Sequence, residues 1–265
     1  MIPVMFKALW QYRYFVLSSV RSEFRGRFAR STFGGLWAFL NPLAEVAIYA
    51  LILSNVLSAR FEGINNKYSF AIYLTSGILA WSLFANVVNR CVGLFIANGD
   101  LIKKVNFPKV VLPATVAGIA LVDNLLLLLA IAVVFALLGH TPDIYVIWLP
   151  LLVMITLTLG IGIGLILGIL NVFIRDIGQV VPIVLQFGFW LTPIVYPIDI
   201  IPESWRGWLQ LNPMVPIVDA YHAALAFNQP PDISGVLPIA GVVVLLIALA
   251  FFLFTRASAE MADAL

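Results

Sequence analysis

Charge is what this chain has least of. Only 11% of its 265 residues are Asp, Glu, Lys or Arg, while 62% are hydrophobic, and a soluble domain of this length cannot cover its surface with so few charges. Cysteine occurs once, at Cys91, which excludes an intrachain disulfide and a cysteine-cluster metal site and leaves a plain buried thiol as its expected state. The two histidines, His140 and His222, stand alone on external loops without metal-ligand spacing. There is no G-x-x-x-x-G-K-[ST] loop, so the chain does not bind ATP in the Walker manner by itself, and any use of ATP and Mg belongs to a partner. No compact apolar core with a small-residue cleavage site opens the sequence, so the N-terminus is expected to be retained. A net charge of +2 is too small to point to nucleic acid.

What is abundant is long apolar runs. Six segments approach the roughly 20 residues that cross a bilayer: about Gly34 to Leu57, Phe70 to Ala97, Pro113 to Leu138, Val146 to Phe173, Ile177 to Tyr196 and Val236 to Thr255. The fold class expected is an all-α polytopic membrane protein with six transmembrane helices in a single domain. Six spans put both termini on one side. Lys7, Arg13, Arg21, Arg25, Arg27, Arg30, Lys103, Lys104, Lys109, Arg175 and Arg256 fall on that side, against Arg60, Lys67 and Arg206 on the other. The positive-inside rule then makes both termini cytoplasmic.

Residues 1–32 read as an amphipathic interfacial helix. Wound at 100° per residue, Phe6, Trp10, Leu17, Val20, Phe24 and Phe28 form one apolar stripe, with Arg21 and Arg27 flanking it and Arg13 interrupting it. Such arginines lay their stems on the apolar face and lift their heads to phosphates. The loop over 98–112 opens with Asn98-Gly99-Asp100 and closes with Pro108 and Pro113, which predicts a short cytoplasmic helix. Residues 197–235 carry too many aromatics for a solvated loop, and Pro202, Pro216 and Asn212-Pro213 punctuate them into two short helices dipping into the outer leaflet.

Glu45, Arg90 and Asp123 lie within the spans, where ionisable groups are costly and pair inside the bundle or face a cavity. Gly160, Gly164 and Gly168 share one helix face, the spacing of close helix packing. Phe33, Trp37, Asn41, Glu45 and Tyr49 recur every four residues, and Gln179, Gln186 and Trp190 share nearly one face of the fifth span. Mixed stripes of rings and amides suit the lining of a carbohydrate channel, and they equally suit core and interface-belt packing.

Four stretches, FRGRFARSTFGGLWAFLNPL, DLIKKVNFPKVVLP, NVFIRDIGQV and FWLTPIVYP followed by LNPM, together give a resemblance over nearly the full length. The chain resembles the membrane permeases of type-2 ABC exporters, in the bacterial branch that exports O-antigen and related capsular or teichoic polysaccharides. That resemblance implies a non-enzymatic half-transporter in the bacterial inner membrane: two copies form the channel, two copies of a separate ATPase bind beneath it, and a polyprenyl-diphosphate-linked polysaccharide moves outward. It implies that Arg21, Arg25, Arg27 and Arg30 sit near the lipid diphosphate. Asp100, Lys103, Lys104 and Lys109 would form the coupling helix on the ATPase, with Arg175 and Asp176 as a second contact. Tyr196, Trp205, Trp208 and Tyr221 would belong to an external gate. A small-lipid or drug exporter of the same superfamily, an ion-coupled flippase and a membrane-embedded transferase are the competing readings; the last two want mid-membrane acids with internal symmetry, or convergent catalytic acids, and neither pattern stands out.

Overall fold

The computed structural model describes residues 10–29, 31–48, 64, 66, 68–104, 108 and 110–264. Their regular structure is all helical: α1 (Arg13–Phe28), α2 (Trp37–Ile48), α3 (Ser69–Ala97), α4 (Gly99–Lys104), α5 (Val111–Leu137), α6 (Leu149–Phe173), α7 (Ile177–Leu191), α8 (Glu203–Leu209), α9 (Met214–Tyr221) and α10 (Ile233–Ala264). Among the described residues, four helical stretches are long and apolar enough to cross a membrane, Ser69–Ala97, Val111–Leu137, Ile144–Phe173 and Ile233–Ala257. They coincide with four of the six expected spans. The first expected span is described only as far as Ile48, its remainder lying outside the described residues. The fifth is shorter than expected: α7 has 15 residues, about 22 Å of helix against a hydrocarbon core of roughly 30 Å. It stops because Thr192 turns extended and Pro193 has no N–H with which to continue the ladder.

The bundle is organised around α3, whose buried residues run along almost its whole length. On one side α3 packs against α6, and on another against α5, which in turn carries α1 and α2. The α3–α6 seam is built from absent side chains. A Cβ placed on Gly164 would stand 2.6 Å from the Cβ of Cys91, and one on Gly168 would overlap the Cys91 carbonyl oxygen. Gly160 faces Val87 in the same way. The i, i+4, i+8 glycine face read from sequence is therefore the contact face of α6, and Cys91 is buried against it. Gly162, on the opposite side, lies against Leu246 of α10.

Between α1 and α2 the chain passes through a 3-10 turn, Gly34–Leu36, in which Gly34 has φ 51°. That left-handed conformation is free for glycine and strained for other residues. Nothing stands within 4 Å of a Cβ built there, so the glycine serves the turn and not a close approach.

The 197–235 region forms two short helices as expected, but only one is exposed. Met214, Ile217, Val218 and Tyr221 of α9 are buried against α3, α6 and α10. A π turn, His222–Ala226, continues α9, and the His222 ring stacks on Tyr73 at 3.7 Å between centroids. Both histidines thus sit in the protein interior. His140 Nε2–H donates to the Leu225 carbonyl at 2.8 Å, pinning the turn to the end of α5.

The seam yields a paired expectation. Gly168→Ala should cost about 1–3 kcal/mol through overpacking against backbone. Gly241→Ala on α10, where an added Cβ meets nothing within 4 Å, should change stability by less than about 0.5 kcal/mol. Thermal denaturation of the two solubilised variants checks the contrast; equal effects would remove the seam from the account.

Candidate functional site

Within an apolar bundle, an unpaired charge is the costliest thing a helix can carry. Asp123 lies midway along α5, and it is met from two directions. Arg27 of α1 donates to it through both guanidinium arms, Nη1 to Oδ1 at 2.8 Å and Nη2 to Oδ2 at 3.1 Å, the bidentate geometry arginine forms with carboxylates. Arg90 of α3 approaches Oδ2 at 3.5 Å. Glu23, one turn before Arg27, stands 3.4 Å from both Arg27 and Arg90. Asn86 completes the group, donating to Asp123 Oδ2 at 3.2 Å and accepting from Arg90 Nε at 2.7 Å. Two cations and two anions balance, and three helices are tied at one point. The hydrogen bond that Arg27 donates to Asp123 raises the guanidinium pKa above its ordinary value.

This fixes the aspect of α1. Val20 is close to Gly118 of α5 and Arg27 reaches Asp123, so α1 runs alongside α5 in the same direction with Glu23 and Arg27 turned inward. Trp10, Tyr14 and Leu17 remain exposed, as do Arg21 and Arg25. The single stripe read from sequence is divided: Val20 packs inward while Trp10 and Leu17 face out. Arg27, expected beside Arg21 at the head groups, is held by Asp123. Arg30, Tyr49 and Lys109 lie outside the described residues, and so does the side chain of Lys104.

Cavities flank α3 on several sides: one of about 440 Å³ lies between α1, α3 and α5 with Glu23, Arg90 and Asn98 in its wall, and two others hold residues expected at the site. The larger, about 810 Å³, is lined by Trp81 of α3, Val180, Val184, Gly188 and Leu191 of α7, and Tyr196, Trp205, Trp208 and Asn212 beyond it. Its walls are almost wholly apolar. Asn212 is fixed there by donating to Thr192 Oγ1 at 2.9 Å while accepting from the Met214 N–H. Tyr196, Trp205 and Trp208 are therefore brought together, whereas Tyr221 is buried in the core. Gln179, Gln186 and Trp190 lie on the exposed side of α7. The smaller cavity, about 250 Å³, has a mixed lining, more polar than that of the larger one, and lies between α2, α3 and α5, with Trp37, Asn41 and Glu45 on its α2 wall. Phe33 meets Trp37 edge-on at 6.0 Å. The ring-and-amide stripe of α2 thus borders the smaller cavity, whereas that of α7 faces away from the larger one.

The expected coupling segment forms α4, with Asp100 and Lys103 exposed. Arg175 and Asp176, exposed in the α6–α7 connection, stand at the same end of the bundle, because α3 and α6 run parallel along their glycine seam. Asn171 holds that connection, donating to the Val92 carbonyl at 3.0 Å and accepting from the Gly178 N–H at 2.8 Å. Ile102 of α4 packs into a cluster of Phe95, Ile169, Val172 and Met261.

An all-α bundle of long apolar helices is what the sequence resemblance led one to expect; the charge tie of α1 to Asp123 is not. The profile of the ABC-2 type transporter family matches residues 14–226. The chain belongs to that family. It is a multi-pass membrane permease, and its likeness to curated permeases extends along its length. An O-antigen export system permease protein RfbA of Myxococcus xanthus is 32% identical over 261 residues, covering 98% of each chain. An RfbA of Klebsiella pneumoniae is 28% identical over 236 residues, 87% of each. The polysialic acid transport protein KpsM of Escherichia coli is 28% identical over 207 residues, 77% of this permease and 78% of that protein.

Glu23, Asn86, Asn124 and Asn171 were not singled out from the sequence. A signal existed for two of them, since Glu23 precedes Arg27 and Asn86 precedes Arg90 by one helical turn. In a double-mutant cycle, Asp123→Ala should cost about 1–3 kcal/mol, less than a fully buried pair because the paired side chains keep 21–28% exposure. Arg27→Ala made on top of it should cost much less than Arg27→Ala alone. Additive losses in thermal denaturation would mean that the pair is not coupled.

Proposed function

We propose that this permease is the channel subunit of an ATP-driven exporter in the bacterial inner membrane, carrying a polyprenyl-diphosphate-linked polysaccharide of the O-antigen type outward. The observation that carries the reading is the 32% identity to an O-antigen export permease over 98% of both chains. Six spans per subunit and cytoplasmic termini follow the charge distribution of the loops. Two copies form the channel. Energy comes from a separate ATPase, bound by two copies with ATP and Mg, because the chain has no phosphate loop of its own. Its docking surface is α4 together with the Arg175–Asp176 connection, whose exposed charges share one end of the bundle.

The exposed Arg21 and Arg25 are the groups left to meet the lipid diphosphate, since Arg27 is engaged by Asp123. The ring-and-amide faces of α2 and α7, with Phe33, Trp37, Asn41, Gln179, Gln186 and Trp190, border the sugar path. Tyr196, Trp205 and Trp208 form its outer gate. A capsular polymer is the second reading of the cargo, supported by the likeness to a polysialic acid transport protein. An ion-coupled mechanism is disfavoured, because Asp123 is neutralised by two arginines and offers no acid for a relay.

Purification of the tagged permease from its native host should co-isolate a nucleotide-binding subunit. Isolation alone, with transport intact, would end the ATP-driven reading. Lys103→Glu and Lys104→Glu together should leave the ATPase hydrolysing ATP while surface polymer falls at least about tenfold; normal export, measured by immunoblot of surface polysaccharide, would move docking elsewhere. Neutralising Arg21 and Arg25 should impair export with membrane insertion unchanged, and wild-type export would leave α1 a structural element only.

A further inference from the structure

The smaller cavity has walls that are unfinished in a particular way. Asp123 in its wall takes Arg27 and Arg90, and Asn86 uses both its amide and its carbonyl within the same network, while Glu45 of α2 adds a second carboxylate to the wall. Asn124 is not matched. It is only 6% exposed, its Nδ2 donates to the Leu79 carbonyl at 3.0 Å, and its carbonyl oxygen, with no hydrogen-bond partner among the described residues, opens onto this cavity. A carbonyl that opens onto a cavity takes its donor from whatever fills the space, water or ligand.

Three neighbours point to what that is. Ser82 donates to Leu79 O at 3.2 Å and keeps its oxygen available as an acceptor. The Asn41 carboxamide makes no hydrogen bond among the described residues and supplies both a donor and an acceptor. Trp37 touches Phe33 only edge to face and is 38% exposed, which leaves ring surface for an apolar C–H face. A ring bearing several hydroxyls answers all of these at once. The volume, about 250 Å³, lies below the roughly 300 Å³ at which drug-sized sites begin, so it holds one ring and not a chain. An acid is disfavoured, because the Asp123 carboxylate is in the wall and both nearby arginines already share two carboxylates.

We infer that this cavity between α2, α3 and α5 is a binding subsite for one neutral sugar residue of the transported chain, separate from the apolar cavity beside α7. It rests on the polysaccharide-export reading and adds to it residues outside the ring-and-amide stripes, Ser82 and Asn124. A subsite of this kind holds a passing polymer in register by one residue at a time, through hydrogen bonds that each exchange for water without large cost.

The test uses the complete exporter with its ATPase, in membranes from cells that make the lipid-linked polymer and from cells in which its synthesis cannot start. Export is stalled by an ATPase variant that binds ATP without hydrolysing it. In a Cys91→Ala background, Asn41→Cys and Ser82→Cys each report the cavity, and Val184→Cys reports the apolar cavity; all three are first checked for membrane insertion and ATPase binding. Alkylation by N-ethylmaleimide should slow several-fold at positions 41 and 82 when polymer is present. Protection at 184 with none at 41 and 82 would overturn the subsite and leave the export reading standing, the small cavity then holding water only. Polymer-independent alkylation at all three positions would count against the export reading itself and would take the subsite with it.

Discussion

Neutralising Asp123 is the constraint on which the arrangement of α1, α2 and α5 depends. A carboxylate in the middle of an apolar helix obliges the bundle to bring cations to it, and the cations available belong to two different elements. Arg90 arrives on α3 as part of the core. Arg27 arrives on α1, and reaching Asp123 brings α1 alongside α5 for half the length of that helix. From this follow the inward aspect of Glu23 and Arg27, the outward aspect of Arg21 and Arg25, and the position of the Gly34 turn that leads into α2. The smaller cavity lies where α2 packs against α5, with Arg27 and Asp123 in its wall.

The helix α3 divides the protein into two chemical halves. Toward α1, α2 and α5 its face carries Ser82, Asn86 and Arg90, and the spaces there, about 250 and 440 Å³, have charged and amide groups in their walls. Toward α6 and α7 it carries Trp81, Phe84 and Val88, and the space is large and apolar. A single helix can serve both because positions 82, 86 and 90 lie one turn apart on one side, while 81, 84 and 88 lie on the other.

Much of this was legible in the sequence. Four of the six apolar runs became helices within a few residues of their expected bounds, since length and hydropathy decide a span almost alone. The glycine face of α6 was readable from spacing, as was α4 from its flanking turn residues. What periodicity misjudged was α1, because its stripe mixes residues that pack on α5 with residues that remain exposed, and only the partner helix sorts Val20 from Leu17. The early stop of α7 was written in Thr192 and Pro193 but masked by the apolar residues that follow. Asn124 and Asn171 carried no signal at all: each is one amide in a polar-poor helix, and its meaning depends on a backbone carbonyl contributed from elsewhere.

The glycine seam between α3 and α6 has a mechanical consequence. Two helices in backbone contact over three successive turns cannot slide or bend independently, so they behave as one strut. At one end the strut carries α4, locked by Ile102 and by the Asn171 bridge to Val92; at the other, about 36 Å away along the helix axis, Tyr73 lies under the ring of His222. A displacement delivered at α4 therefore has little compliance in which to dissipate, and it emerges at the π turn on the opposite side of the membrane nearly undiminished.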